Sequence, residues 1–343
     1  MAPIGNPRKL ERRPAARSVR GVSGTAELAS AIRGGDRSAL ARGITLVESR
    51  REPDAVAADE LLQALLPATG KATRVGITGA PGVGKSTLIE ALGQRLCAAG
   101  RRVAVLAVDP SSSVSGGSIL GDKTRMSELA RDERAFIRPT PSGDATGGVA
   151  ARTREAMLLC EAAGFDVVLV ETIGTGQSEL AVHGMVDFFL LLLSPAAGDE
   201  LQGIKRGVME LVDAVLVHKA DGDLAAAADR AAQQCLLAMR VLHGDAAPPV
   251  LVGSAATGRG IDAVWSTIES HGARARAGGA FAARRERQAA EWLDALVRER
   301  LLAEFLGDPL VAAALQRARA DVARGAVLPP TAARAVLATR RRP

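Results

Sequence analysis

The segment GAPGVGKS, residues 79–86, decides the fold of this 343-residue chain. It has the spacing G-x-x-x-x-G-K-S, follows the β-branched run Val75–Thr78, and opens the helix-like stretch TLIEALGQRLCAAG. Glycines let such a loop turn tightly and aim successive N–H groups at a phosphate, and the following helix adds its positive end. The segment therefore predicts a phosphate-binding loop made of Gly79, Ala80, Pro81, Gly82, Val83, Gly84, Lys85, Ser86 and Thr87.

The sequence around this loop alternates between short apolar runs and amphipathic stretches. Strands that are apolar throughout and separated by helices form parallel sheets with both faces covered. We therefore expect an α/β fold, the three-layer P-loop NTPase type with a mostly parallel sheet. Seven runs are the candidate strands: RVGIT, RVAVLAVD, AFIRPT, DVVLVET, DFFLLLL, DAVLVHK and PVLVGSA.

Four regions are expected along the chain. A disordered basic tail occupies residues 1–24, an N-terminal helical extension 25–70, the P-loop domain 71–271 and a C-terminal helical arm 272–343. Apolar residues at helical spacing support both helical regions, with Asp36 as an expected N-cap and Gly307 and Gly325 as expected helix ends. The Ala/Gly/Arg-rich link near 272–283 is expected to be a hinge.

Three acidic residues lie where the ligands of parallel sheets gather. Asp109 and Glu171 each end an apolar run, and Asp122 lies in the loop GGSILGDKTRM between two candidate strands. Because the carboxyl ends of parallel strands meet at one edge of the sheet, we expect these acids beside the phosphate loop. Each also has an alternative interpretation as a helix N-cap or a solvated loop residue. The candidate Mg²⁺ ligands are Ser86, Asp109, Asp122 and Glu171, and the candidate catalytic residues are Lys85, Asp109 and Glu171.

A second loop, LVHKADGD at residues 216–223, resembles the Asn-Lys-x-Asp loop that selects guanine, with His218 in the place of Asn. The Asp221 carboxylate can accept the N1–H and N2–H₂ groups of guanine together, which adenine cannot offer. Lys219 can lay its aliphatic stem along the base. Neutral histidine, like asparagine, has one donor and one acceptor to join this loop to its neighbours. Taken alone, HKAD is more often an ordinary surface turn.

A third segment, GSAATGRG at residues 253–260, follows the last candidate strand. The backbone N–H groups of Ser254 and Ala255 are the candidates to meet the guanine O6 atom. Together the three loops predict a guanine nucleotide site.

Composition excludes several other classes of protein. The net charge is +6, yet residues 1–25 carry six basic side chains and one acidic, and Arg340, Arg341 and Arg342 lie together near the other end, so the body is nearly neutral. With no Tyr and 2% aromatic residues there is no stacking platform for bases, which argues against nucleic-acid binding. The longest apolar run, VDFFLLLLSP, is far shorter than the about 20 residues of a membrane span.

The cysteines and the start of the chain bear on the compartment. Cys97, Cys160 and Cys235 are odd in number, far apart and set in apolar patterns, so we expect reduced core thiols. The first 21 residues have no apolar stretch, so a cytoplasmic bacterial protein is expected, although an Arg-rich, acid-poor start also fits a transit peptide.

Several motifs together resemble the methylmalonyl-CoA mutase-associated GTPases, the MeaB/ArgK group: GAPGVGKSTLIEALG, VDPSSSVSGGSILGDKTRM, VETIGTGQSE, GDELQGIKRGVME and DAVLVHKAD. The similarity covers about residues 40–335. It implies a GTP hydrolase that chaperones an adenosylcobalamin-dependent acyl-CoA mutase and couples hydrolysis to cofactor loading and to release of inactivated cobalamin. Cobalamin would be bound only through the mutase, with a cobalamin adenosyltransferase as a second candidate partner, and the arm would join two copies into a homodimer.

The resemblance also carries roles onto individual residues. Lys85 and Ser86 match the phosphate and Mg²⁺ positions, and the three acids match those that organise the metal and the attacking water. The segment SPAAGDELQGIK, residues 194–205, matches a mobile loop that responds to the mutase, with Gln202 and Lys205 as its partner-responsive residues. An exposed connection between a strand and a helix is the alternative for that segment. The departures are His218 for Asn, Thr175 for Val, and SPAAGD for a Pro-Gly-rich version.

Two other functions use the same kind of fold. A metallochaperone GTPase needs a cluster of imidazole or thiolate ligands, and the four histidines and three cysteines show no such spacing. A kinase acting on a small molecule or a transport protein needs an acceptor site, for which the sequence offers no feature. Labelling GTP on its γ-phosphate separates the hydrolase from the kinase.

Overall fold

The structure, a computed structural model, describes residues 22–49, 51–109, 126–141, 148–172, 178–195 and 206–341. Its centre is a parallel sheet of seven strands in the order β3-β2-β4-β1-β5-β6-β7, which confirms the predicted α/β fold. All six pairings are parallel. The strands are β1 (Thr73–Gly79), β2 (Val103–Asp109), β3 (Ala135–Pro141), β4 (Val167–Glu171), β5 (Phe188–Leu193), β6 (Ala214–Val217) and β7 (Val250–Val252).

Helices cover both faces of the sheet and extend from it at the C-terminal end. Asp36 caps the second helix as predicted, because its side chain accepts from the N–H groups of Ser38 and Ala39. The helices are α1 (Val22–Arg33), α2 (Arg37–Val47), α3 (Glu52–Leu65), α4 (Lys85–Ala98), α5 (Gly148–Ala162), α6 (Ser178–His183), α7 (Arg206–Met209), α8 (Ala225–His243), α9 (Ile261–Ala277), α10 (Ala280–Gly307), α11 (Pro309–Ala323) and α12 (Pro329–Ala338).

Side chains of β5 alternate between the two faces of the sheet and show how the core is divided. Phe189 and Leu191 pack with the helical extension and α5 in one cluster, which includes Ile44 of α2. Phe188 and Leu190 pack with α4 and α9 in the other. Every residue of β5 is buried, as expected for a central strand with helices on both sides. The three cysteines are free and buried, which confirms the prediction of core thiols.

The C-terminal helices follow the predicted stops, and the predicted hinge region contains a turn between two helices. Helix α10 ends at Gly307, and Gly325 adopts a left-handed φ of 70° just after α11. The link over 272–283 consists of the end of α9, a turn at Gly278 and Gly279, and the start of α10. Its alanines and arginines are good helix formers, so only the paired glycines interrupt the helix.

Arg285, near the start of α10, anchors the C-terminal arm to the amino ends of β1 and β5. The Arg285 guanidinium holds both carboxylate oxygens of Asp187, at 2.8 and 2.7 Å, and donates to the carbonyls of Gly70 and Ala72 just before β1. Asp187 also accepts from the N–H of Arg74 at the start of β1. We call this set of contacts the arginine anchor.

A second attachment of the arm leads to the end of α6. The Gln288 amide donates to the carbonyls of His183 and Val186, at 3.3 and 2.9 Å. Arg154 of α5 donates to the carbonyls of Gln288 and Gly184, so the same turn is held from two sides.

Beyond Gln288, α10 exposes much of its apolar surface. In the described part of the chain, no helix is long and apolar enough to span a bilayer.

Candidate functional site

The phosphate loop lies between the end of β1 and the start of α4, at the carboxyl edge of the sheet. Gly82 and Gly84 have φ values of 79° and 101°, in the left-handed region that favours glycine. A Cβ atom on Gly84 would lie 2.6 Å from Nδ1 of His218, so this position excludes a side chain by space as well as by conformation. The loop therefore turns as a phosphate cradle requires, with the N-terminus of α4 behind it.

Lys85 is buried at the base of this loop. Its Nζ donates to the carbonyls of Gly79 and Ala80, at 2.8 and 3.1 Å. Burial lowers the pKa of Lys85, while the nearby carboxylates of Glu171 and Glu179 oppose that shift. The ammonium group is thus already at the phosphate loop, and both of its carbonyl partners belong to the loop itself.

Ser86 and Glu171 meet beside the lysine. The Ser86 hydroxyl donates to Oε1 of Glu171 at 2.9 Å, which joins the start of α4 to the carboxyl end of β4. The register pairs Glu171 with Ala107 on β2, so Asp109 follows two residues further along the neighbouring strand, at the same edge. Hydroxyl and carboxylate oxygens are the ligands that Mg²⁺ prefers, so the residues present fit this ion. The side chain of Asp109 and the whole of Asp122 lie outside the described residues.

Lys219 reaches the phosphate loop from the loop that follows β6. Its Nζ donates to the carbonyl of Gly82 at 2.7 Å. Among the described residues other than glycine, Lys219 alone has a positive φ, 59°. Non-glycine residues rarely adopt this conformation, and such residues concentrate at functional sites. The aliphatic stem of Lys219 therefore runs from the 218–221 loop to the phosphate loop, where the sequence analysis expects a base.

His218 connects three loops through its ring. Its Nδ1 lies 3.0 Å from the carbonyl oxygen of Val83 in the phosphate loop, and its Nε2 accepts from the N–H of Ala255 at 3.1 Å. The ring is 2% exposed. Burial lowers the pKa of His218, and the neighbouring Lys219 lowers it further, against the Val83 carbonyl and Asp221. The ring makes the one donor and one acceptor contact that the sequence analysis assigned to a neutral side chain at this position.

Asp221 and the 253–260 loop meet on the other side of His218. The Ser254 hydroxyl donates to the Asp221 carboxylate, which holds that carboxylate against the neighbouring loop. The two N–H groups expected to meet guanine O6 are both engaged: Ser254 donates to the Arg259 carbonyl, and Ala255 donates to His218. Among described partners, the exposed Ala256 N–H makes no hydrogen bond. Of these three N–H groups, that of Ala256 is the one left without a described partner, whereas the prediction named Ser254 and Ala255.

Two arginines that the sequence analysis missed position the 253–260 loop. Arg95 of α4 donates to the carbonyl of Gly258 at 3.1 Å and pairs with Asp262 at the start of α9. Arg259 donates to the carbonyl of Ala220 at 3.3 Å. No motif marks either residue, because their partners are backbone carbonyls far away in sequence.

The following predicted features lie outside the described residues: the basic tail up to residue 21, Thr175, Gln202 and Lys205. In the described ranges, no group of three His, Cys, Asp or Glu side chains is placed to hold a metal ion.

Comparison with known proteins extends these observations. A family model described as methylmalonyl Co-A mutase-associated GTPase MeaB matches residues 40–309. A putative GTPase of Caulobacter vibrioides is 56% identical over 307 residues, 89% of this chain and 94% of that protein. GTPase ArgK of Escherichia coli is 48% identical over 280 residues, 81% of this chain and 85% of that protein. The crystal structure of a LAO/AO transport system kinase has a TM-score of 0.74 and 36% identity, and it covers 95% of this chain and 100% of its own.

Proposed function

This chain belongs to the family of methylmalonyl-CoA mutase-associated GTPases, and from that premise we propose that its GTP hydrolysis serves an adenosylcobalamin-dependent acyl-CoA mutase. Hydrolysis would gate the loading of the cofactor into the mutase and the release of inactivated cobalamin. The cobalamin would bind the mutase rather than this chain, and a cobalamin adenosyltransferase would be the second partner. In this proposal the protein works in the bacterial cytoplasm.

One observation carries the assignment of the site: the phosphate loop, the 218–221 loop and the 253–260 loop meet around His218. In our proposal the phosphates lie in the loop 79–87 and the base lies along the stem of Lys219. The Asp221 carboxylate accepts from N1–H and N2–H₂ of guanine. Ala256 N–H replaces Ser254 and Ala255 as the donor to O6, because those two groups already have partners.

The geometry suggests how these residues promote hydrolysis. Lys85, held at the loop by Gly79 and Ala80, would move its donors to the β- and γ-phosphate oxygens and stabilise the charge that builds there. Ser86 and Glu171, joined at 2.9 Å, would hold Mg²⁺ together with Asp109 and Asp122. When bound, Mg²⁺ supplies electrostatic stabilisation of the transferred phosphoryl group. Glu171 would also orient the attacking water, since it ends β4 beside the phosphate loop.

Exposed apolar residues of α10 support the proposed homodimer. Leu293, Val297 and Leu301 repeat every four residues along this helix and are 62%, 46% and 58% exposed. Residues at this spacing share one face of a helix, and a contiguous exposed apolar face is typical of an interface. A second copy of the chain is the occupant that we propose for it.

A charged substitution on this face tests the dimer. Leu301→Asp should convert the protein to a monomer, measured by light scattering during gel filtration, because it places a carboxylate in the apolar contact. The matched control is Val241→Asp, which adds the same charge to an exposed apolar residue of α8, and it should leave the mass unchanged. A wild-type protein that is monomeric at high concentration, or a dimeric Leu301→Asp variant, contradicts the proposal.

Phosphate release in the presence of purified mutases tests the function. Turnover of GTP by the isolated protein should be slow and should rise about tenfold or more with its client mutase, as in switches whose partners order mobile loops. The Lys85→Ala variant, which loses the phosphate-binding ammonium, should show neither the basal nor the stimulated rate. A full set of adenosylcobalamin-dependent mutases that all leave the rate unchanged contradicts the chaperone assignment.

The same assay separates hydrolysis from phosphoryl transfer to an acceptor. The structural relative named as a transport system kinase makes this alternative worth testing directly. With GTP labelled on its γ-phosphate and cell extract present, label should appear as free phosphate. A labelled protein or metabolite that depends on Lys85 would instead support the kinase.

A further inference from the structure

The contacts of His218 fix the protonation state of its ring. A carbonyl oxygen can only accept and a backbone N–H can only donate, so Nδ1 carries the hydrogen for Val83 and Nε2 offers its lone pair to Ala255. The ring is therefore neutral, in the Nδ1–H tautomer. The residue is 2% exposed, so water has little access to either ring nitrogen.

Protonation of this ring removes one of the two contacts. The second proton can go only onto Nε2, which would then point a donor at the N–H of Ala255. Two donors face each other, and the 253–260 loop loses its hydrogen bond to the phosphate-loop side of the site. The Val83 contact survives because Nδ1–H is unchanged. Protonation thus removes the link that runs through the His218 ring from the 253–260 loop to the phosphate loop, while the Ser254–Asp221 and Arg259–Ala220 contacts remain.

We propose that neutral His218 is the positioning residue that holds the 253–260 loop against the phosphate loop, and that protonation of its ring weakens the binding of guanine nucleotides. The inference rests on the proposed nucleotide site and adds its regulation. A bound base requires the Ala256 N–H and the Asp221 carboxylate at fixed positions, so the bound state needs the neutral ring more than the free state does. By linkage, bound nucleotide and ring proton oppose each other.

Burial and the charged groups around the ring together set the pH range. Lys219 and Asp221 lie on its own loop, Arg259 comes from the 253–260 loop, and Lys85 follows Gly84 in the phosphate loop. Burial is the main cause that lowers the pKa of His218 below its ordinary 6.5, with Lys219 acting in the same direction. The neutral ring is therefore present above that lowered pKa, and the affinity is lost as the pH falls through it.

The substitution His218→Asn distinguishes the effect of protonating the ring from the effect of the hydrogen bonds that this side chain makes. An asparagine amide has a donor and an acceptor but gains no proton in this range. The measurement is the Kd of fluorescently labelled GDP from pH 5 to pH 8 for the wild type, His218→Asn and His243→Asn. His243 is a half-buried histidine at the end of α8, bonded to the Met209 carbonyl, and serves as the matched control.

Ionisation of the GDP phosphates affects the Kd of all three proteins equally. Ratios of Kd values therefore report only on the protonation of the histidine ring. The ratio of the wild-type Kd to that of His218→Asn should rise as the pH falls through the lowered pKa of the ring, by about five- to tenfold once the ring is protonated, the value of one lost buried hydrogen bond. His243→Asn should follow the wild type. Parallel profiles for the wild type and His218→Asn overturn this inference alone. Absence of GDP binding by the wild type at pH 8 overturns the proposed site and the inference with it.

A second measurement on the wild type covers the case in which His218→Asn does not fold. In protein labelled with ¹⁵N-histidine, one buried ring should show the Nδ1–H tautomer at pH 8 and should titrate below pH 6.5, with a midpoint that GDP lowers further. An Nε2–H tautomer for this ring, or a midpoint that GDP leaves unchanged, overturns the inference.

Discussion

Replacing Arg285 with alanine should lower the free energy of unfolding by about 3 kcal/mol, because it removes one partner of a largely buried ion pair. The side chains of Arg285 and Asp187 are 15% and 7% exposed, and the guanidinium holds both carboxylate oxygens. Breaking such a pair costs about 3–5 kcal/mol. We take the lower end because Arg285 keeps some contact with water, and water can reach the Gly70 carbonyl that loses its donor.

Urea unfolding followed by circular dichroism at pH 7.5 measures this loss. The matched control is Arg300→Ala on the same helix, whose pair with Asp59 at 3.7 Å is 72% and 70% exposed. That exposed pair should contribute less than about 1 kcal/mol. Arg285→Lys should give an intermediate loss, since an ammonium keeps the charge but cannot make the paired contact. Equal losses below about 1 kcal/mol for Arg285→Ala and Arg300→Ala would refute the reasoning.

Two substitutions test the nucleotide site in equilibrium and kinetic measurements. Asp221→Asn should weaken GTP binding about 10- to 100-fold and improve binding of xanthosine triphosphate, because an amide oxygen accepts from only one of the two guanine donors. Competition against labelled GDP measures both affinities, and unchanged GTP affinity would count against Asp221 as the base-reading residue. Glu171→Ala should lower kcat for phosphate release about 100-fold while it changes the affinity for GTP much less. A variant that loses affinity and keeps its turnover rate would show that Glu171 serves binding alone.

The fold could be predicted from the sequence because its signals are local. Each strand is a short apolar run next to a helix, as in DFFLLLL, and the glycine loop stands between the two elements that confirm it. The Asp36 cap and the helix end at Gly307 also depend on neighbours within a few residues. Such patterns survive folding because tertiary contacts reinforce rather than override them.

Contacts between distant residues could not be predicted in the same way. The sequence shows that His218 stands in the place of asparagine, but it does not show what the ring contacts. Its partners Val83 and Ala255 are 135 and 37 residues away. The arginine anchor joins residues 98 positions apart, and Arg285 has no motif around it. The hinge expected over 272–283 stays a prediction, because the structure shows only that the segment forms the ends of two helices joined by a turn at Gly278 and Gly279.

The arginine anchor and the phosphate loop lie at opposite ends of β1. β1 runs from Thr73, beside the anchor, to Gly79 in the loop, a length of about 20 Å, and it is paired with β4 on one edge and β5 on the other. A strand that is paired on both edges in a packed interior deforms little, so the anchor stays at a nearly constant distance from the phosphate loop. The Gln288 amide contacts the carbonyls of His183, the last residue of α6, and of Val186, the neighbour of Asp187 in the anchor. Both supports of the arm therefore converge on residues 183–187, the short connection from α6 into β5.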